Sequence, residues 1–138
     1  RTLIANNNGD FGSAISMGEP LGLVIGDIHM DIINSTITNN EGMLGIGMIN
    51  SAYLDAVNTI FWNNGNSEFS PLPNNDQLNL DFNYCNANDE WAGIGNINSD
   101  PLFLDVSNTN YTLSSASPCI PPRIPERGPC FRRWQARP

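Results

Sequence analysis

Hydrophobic and polar positions alternate along several short stretches of the chain, and those stretches match one another. Ile33 to Asn40 reads INSTITNN and Val57 to Asn64 reads VNTIFWNN, an offset of 24, with Asn34/Asn58, Asn39/Asn63 and Asn40/Asn64 identical. A third copy, Leu80 to Asn86, follows at an offset of 23, and a partial copy, Thr2 to Asn7, lies 33 residues before its match. The surplus in that first interval predicts an insertion of about ten residues near Met17 to Leu21.

A period of two predicts strands. The inward set is expected to be Ile33, Ser35 and Ile37, then Val57, Thr59 and Phe61, then Leu80, Phe82 and Tyr84. The outward set is Asn34, Thr36 and Thr38, then Asn58, Ile60 and Trp62, then Asp81, Asn83 and Cys85. Each strand ends in Asn-Asn or Asn-Ala, followed twice by Gly, and these residues accept the left-handed backbone of a sharp corner. Gly22 to Ile25 and Gly45 to Ile49, 23 residues apart, predict a second wall. Strands joined by such short corners cannot pair antiparallel within one coil. Successive coils therefore pair in parallel, giving an all-β solenoid of about 23 residues per coil.

This repeat resembles the right-handed parallel β-helix proteins of bacterial secreted and surface proteins, in the broad pectin-lyase-like superfamily. The stretch from Trp91 to Asp105, WAGIGNINSDPLFLD, followed by NYTLSSASPCI from Asn110 to Ile120, looks like the segment that closes such a stack. The resemblance covers about residues 2–120 and implies a C-terminal piece of a larger secreted protein, with further coils upstream. Where relatives continue with Asp-Ala-Gly, Pro121, Pro122 and Arg123 follow here, and the likeness stops.

Composition separates the chain into two regions. Asn occurs 21 times, always before Ser114, and Lys is absent. Residues 1–120, the expected coils and closing segment, carry 13 acidic side chains against Arg1 alone, whereas residues 121–138 hold five Arg and five Pro. That tail is expected to be disordered or foreign sequence. An acidic body repels phosphate backbones, so nucleic acid is not an expected partner. No run of 18 apolar residues exists to cross a membrane as a helix. Cys85, Cys119 and Cys130 lack metal-site spacing, and Cys119 with Cys130 would close a short loop if oxidised.

Candidate chemistry is sparse. Asp31 and Asp55 each precede a strand's first inward position by two, so stacking sets them about 4.8 Å apart. Two carboxylates so close would form an acid/base pair or hold Ca²⁺, the one cofactor the chain suggests. The alternative is a pair of solvated corner residues. His29, flanked by Asp27 and Asp31, is the remaining titratable candidate, although a lone His is more often a surface strand residue than a zinc ligand. Lyases of the resembled superfamily use an Arg or Lys base, and none lies between Thr2 and Pro122. The Gly-His-Gly of its polygalacturonases is also missing. Trp62 and Trp91 offer flat faces for sugar rings, although Gly65 to Gln77 is expected to fold over Trp62 and bury it.

The expectation is a non-catalytic structural or binding module of a secreted or cell-surface protein, contacting a polysaccharide or surface glycan. The alternative is a piece of a polysaccharide-active enzyme, a glycoside hydrolase or lyase whose catalytic coils lie upstream. The two differ in whether Asp31, Asp55 and His29 share a wall with Trp62.

Overall fold

The computed structural model describes residues 1–9, 12–17, 27–48, 52–71 and 79–120. Ten short strands follow one another around three walls: β1 (Leu3–Ala5), β2 (Ile15–Met17), β3 (Ile28–Ile33), β4 (Thr36–Thr38), β5 (Leu44–Met48), β6 (Ala52–Val57), β7 (Ile60–Trp62), β8 (Ser67–Pro71), β9 (Asn79–Asn83) and β10 (Asn86–Ala87). Every third strand pairs in parallel, giving sheets β1-β4-β7-β10, β2-β5-β8 and β3-β6-β9. This is a solenoid-like stack, and no α-helix occurs among the described residues. A separate antiparallel hairpin, β11 (Phe103–Asp105) and β12 (Asn110–Leu113), joined through a 3₁₀ turn at Val106–Asn108, closes the described chain.

The stack has the expected parallel pairing, with Thr36 opposite Ile60 and Leu3 opposite Thr36. Ile28 pairs with Ala52 but Ile15 with Ile46, so the first coil's surplus falls mainly between β2 and β3. β5 accordingly pairs with β2, at an offset of 31, and not with Gly22 to Ile25 at the expected 23, and that segment lies within residues 18–26, outside the described set. In the third copy the register differs from expectation. Val57 pairs with Asn83 rather than Leu80, because extra residues lie between β8 and β9.

The inward set also needs correction, and the corners give the reason. Asn34, Asn58 and Tyr84 adopt left-handed backbone with φ of 53°, 52° and 55°. Each breaks one run of alternation into two strands on different walls. Before the corner Ile32 is buried and Ile33 is 54% exposed; after it Ile37 is buried. Val57 faces outward beside buried Ala56, and Tyr84 is exposed as a corner residue. Cys85 and Thr38, expected outside, are buried. Cys85 occupies the inward position of Thr59 in the coil above, where Sγ donates to Ala56 O much as Thr59 Oγ1 donates to Ile32 O.

The core runs along the solenoid axis. Phe61 and Phe82 stack with centroids 5.2 Å apart, Phe69 meets both edge-on, and Trp91 packs on Phe69 and Phe82. Phe69 reaches this cluster from β8. Residues 67–71 of the Gly65 to Gln77 segment thus form a wall strand, and residues 72–78, on which the rest of the expected cover for Trp62 falls, lie outside the described set.

Polar corners are satisfied by asparagine ladders. Asn40 Nδ2 donates to Asn64 Oδ1 at 2.7 Å, and Asn7 Nδ2 to Asn40 Oδ1 at 2.8 Å, with Asn40 and Asn64 buried. Exposed pairs Asn58/Asn34 and Asn63/Asn39 repeat the arrangement at the corner residues themselves. Parallel in-register stacking makes this possible, since each amide meets its copy one coil away. Beneath the last coil, the chain from Trp91 to Ser99 covers the strand ends. Ile97 bridges Asn86, Asn96 Oδ1 accepts from Cys85 N, and Asn86 exchanges two bonds with Ser99. Gly93 permits the approach, because a Cβ there would meet Phe82 O at 1.8 Å.

Candidate functional site

The outward face of β3-β6-β9 carries the acidic candidates. Asp31 is opposite Asp55, as the repeat predicts, and Asp55 is opposite Asp81, so three exposed carboxylates stand in one column. Asp81 joins this column because of the shifted third register, instead of lining up with Asn34 and Asn58 as the outward set had it. Two residues back along the same strands, His29 lies opposite Tyr53, their rings parallel within 7° and 4.5 Å apart. Asp27 precedes β3 and is exposed. Among the described residues no three His, Cys, Asp or Glu side chains converge as a metal-binding group.

Trp62 stands on a different wall. It ends β7 in the sheet β1-β4-β7-β10, and the left-handed corner at Asn58 separates it from Asp55. The aspartate column and Trp62 do not share a groove. Nor does Trp91 join Trp62, since its ring is packed against Phe69 and Phe82, and its Nε1 is buried without a partner among the described residues.

Around Trp62 the structure forms a cleft that the sequence pattern did not reveal. The closing hairpin lies over the β1-β4-β7-β10 wall and leaves a space of about 490 Å³. Its floor is Asn39, Trp62 and Asn63; its roof is Leu102, Phe103, Leu104 and Val106, with Asp100 and Ser114 at the root. The Trp62 ring is half-buried. Asn63 Nδ2 donates to Asn39 Oδ1 at 3.0 Å, which leaves Asn39 Nδ2 and Asn63 Oδ1 without a protein partner among the described residues. An indole face beside one free amide donor and one free acceptor can stack on a ring and bond its hydroxyls. Asp100 stands at the root, its Oδ1 accepting from Leu102 N at 2.8 Å.

The cysteines show no reactive setting. Burial pushes both the Cys85 and the Cys119 thiol up, and Cys119 Sγ also accepts from Asn86 Nδ2 at 3.0 Å. Both are free thiols, and Cys130 lies outside the described residues.

Fold and site together define a small all-β domain of stacked short parallel sheets with a lateral cleft. No protein-family model, no characterised protein and no solved structure matches the chain.

Proposed function

We propose that this chain is a non-catalytic structural and binding module of a larger secreted or cell-surface protein, built as coils of a right-handed parallel β-helix, and that the Trp62 cleft takes a neutral saccharide. Right-handedness follows from the strong preference of parallel crossover connections for that hand. The observation that carries the binding part is the cleft itself: a half-buried indole flanked by free amide donor and acceptor groups under an apolar roof. That set suits a sugar ring, which offers a C–H face and an edge of hydroxyls.

Charge chooses between saccharides. The chain's formal charge of −8 and Asp100 at the cleft root oppose uronates and favour neutral rings. The separation of Asp31 and Asp55 from Trp62 supports binding over hydrolysis, because a glycosidase needs both carboxylates beside the bound ring.

The test is titration of the full chain with neutral gluco-, xylo- and manno-oligosaccharides and with oligouronates, followed by calorimetry and the Trp62 indole resonance. Binding of a neutral oligosaccharide that is lost in Trp62→Ala is expected, with no new reducing ends after prolonged incubation. Binding confined to oligouronates, or cleavage of any of them, would overturn the proposal.

A further inference from the structure

The roof of the Trp62 cleft differs from its floor in how it is held. Among the described residues β11 and β12 pair with each other alone and contribute no ladder bonds to the three walls. The base of the hairpin is closed by Ser114 N donating to Leu102 O, and its interior by Phe103 and Tyr111 meeting edge-to-face at 5.4 Å. Towards the first coil it is tied, among the described residues, by one exposed side-chain bond, from Tyr111 Oη to Asn6 Oδ1 at 2.7 Å. The roof residues Leu104 and Val106 remain 57% and 39% exposed, so little apolar burial fixes that end.

At the root the backbone is strained. Leu102 holds φ of 55°, a left-handed conformation that a bulky L-residue adopts only when its surroundings impose it. Pro101 before it is fully buried and anchors the stack side, while Leu102 itself lines the cleft. An anchored residue, a strained residue and then a self-contained hairpin with one distal tie make a hinge, an arm and a latch.

We propose that the β11–β12 hairpin is a strap over the Trp62 cleft, hinged at Leu102 and latched by Tyr111 to Asn6, whose opening admits ligand to the indole. This deepens the binding reading by naming what regulates that site. Opening swings Leu102, Leu104 and Val106 away from Trp62 and lets Leu102 leave the left-handed region. Closing strains that residue again and restores the latch. The strap is therefore poised between two states by opposed local terms, independently of whether the three walls melt.

The measurement is native-state hydrogen exchange of the full chain in increasing urea, without saccharide. The β11–β12 amides and the Trp62 indole N–H are expected to exchange at least tenfold faster than amides of β4 and β7, through an opening that urea hardly affects, while the wall amides respond steeply. Tyr111→Phe and Asn6→Gly, the latter keeping the left-handed corner, should each raise that opening rate about fivefold. Leu102→Gly, which removes the strain of the closed state, should lower it several-fold. A hairpin that exchanges on the same urea-dependent line as the walls would overturn the strap. So would a Trp62 indole N–H that does not follow the hairpin, or an unchanged opening in both latch variants. Because no sugar is present, failure of the strap leaves the binding reading standing, and a strap that opens in a protein binding no saccharide would sink that reading alone.

Discussion

Tyr111 Oη donates to Asn6 Oδ1 across 105 residues of sequence, tying the closing hairpin to the first coil's left-handed corner. Asn6 stands in the same column as Asn39 and Asn63, so the hairpin crosses the wall above Trp62 on its way. Tyr111→Phe keeps the ring against Phe103 and removes only the hydroxyl. It should lower unfolding free energy by about 1 kcal/mol, and Asn6→Gly, which keeps the left-handed corner, should do likewise. The double variant should cost clearly less than the sum, as urea unfolding of all four proteins would measure. Strict additivity would mean the bond contributes nothing.

The three asparagine ladders look alike in sequence and differ sharply in burial. Asn40 is fully buried, and its Nδ2 serves Asn64 Oδ1, Ile4 O and Thr38 O while its Oδ1 accepts from Asn7. Asn40→Ala strands several of these groups away from water, and an unfolding loss of about 3 kcal/mol or more is expected. Asn58 is exposed at a left-handed corner, where glycine pays no steric penalty. Asn58→Gly should therefore change stability by about 0.5 kcal/mol or less. Thermal melts of the two variants should differ widely, and equal shifts would refute the burial argument.

The repeat made much of this arrangement legible. Identical Asn-Asn pairs 24 residues apart pointed to stacked corners, and those residues do stack as ladders. Asp31 and Asp55 were placed opposite each other by the same arithmetic. Less legible was the position of each corner within the repeat. Ile33, Ser35 and Ile37 alternate on paper as one strand, but Asn34 turns the chain, so the apparent period of two spans two walls. The third copy misled further because Tyr84 takes the corner that Asn holds above it. The Trp62 cleft left no local signal, since it joins β7 to a hairpin some forty residues later through tertiary packing alone.

Asp31, Asp55 and Asp81 stand in register on one exposed wall, and among the described residues no basic side chain is paired to them. Like charges opposite one another across a sheet destabilise it. Asp55→Asn, which removes the central charge, should raise stability by about 0.5 kcal/mol at low ionic strength, and the gain should shrink in high salt as screening takes over. A calcium titration adds a second readout. If the column holds a cation, millimolar Ca²⁺ raises the melting temperature of the natural chain and not of Asp55→Asn. A gain from Asp55→Asn that is insensitive to salt would mean repulsion is not the cause.

Asp105 links the hairpin to pH. Its carboxylate accepts from Asn108 Nδ2 at 2.7 Å, from Ser107 Oγ at 2.6 Å and from Asn108 N at 3.2 Å, and these bonds hold its pKa below the ordinary carboxylate value. A folded pKa lowered in this way contributes stability that is fully present above the unfolded value of about 4 and is lost as pH falls through the folded one. The turn at Val106–Asn108, which Asp105 caps, should therefore loosen below about pH 4 while the three walls persist. Proton-resolved titration should show an acid-shifted Asp105 whose midpoint coincides with faster exchange of the β11–β12 amides. Asp105→Asn should abolish that acid step. Were the step to persist in this variant, Asp105 would not be the group that couples pH to the hairpin.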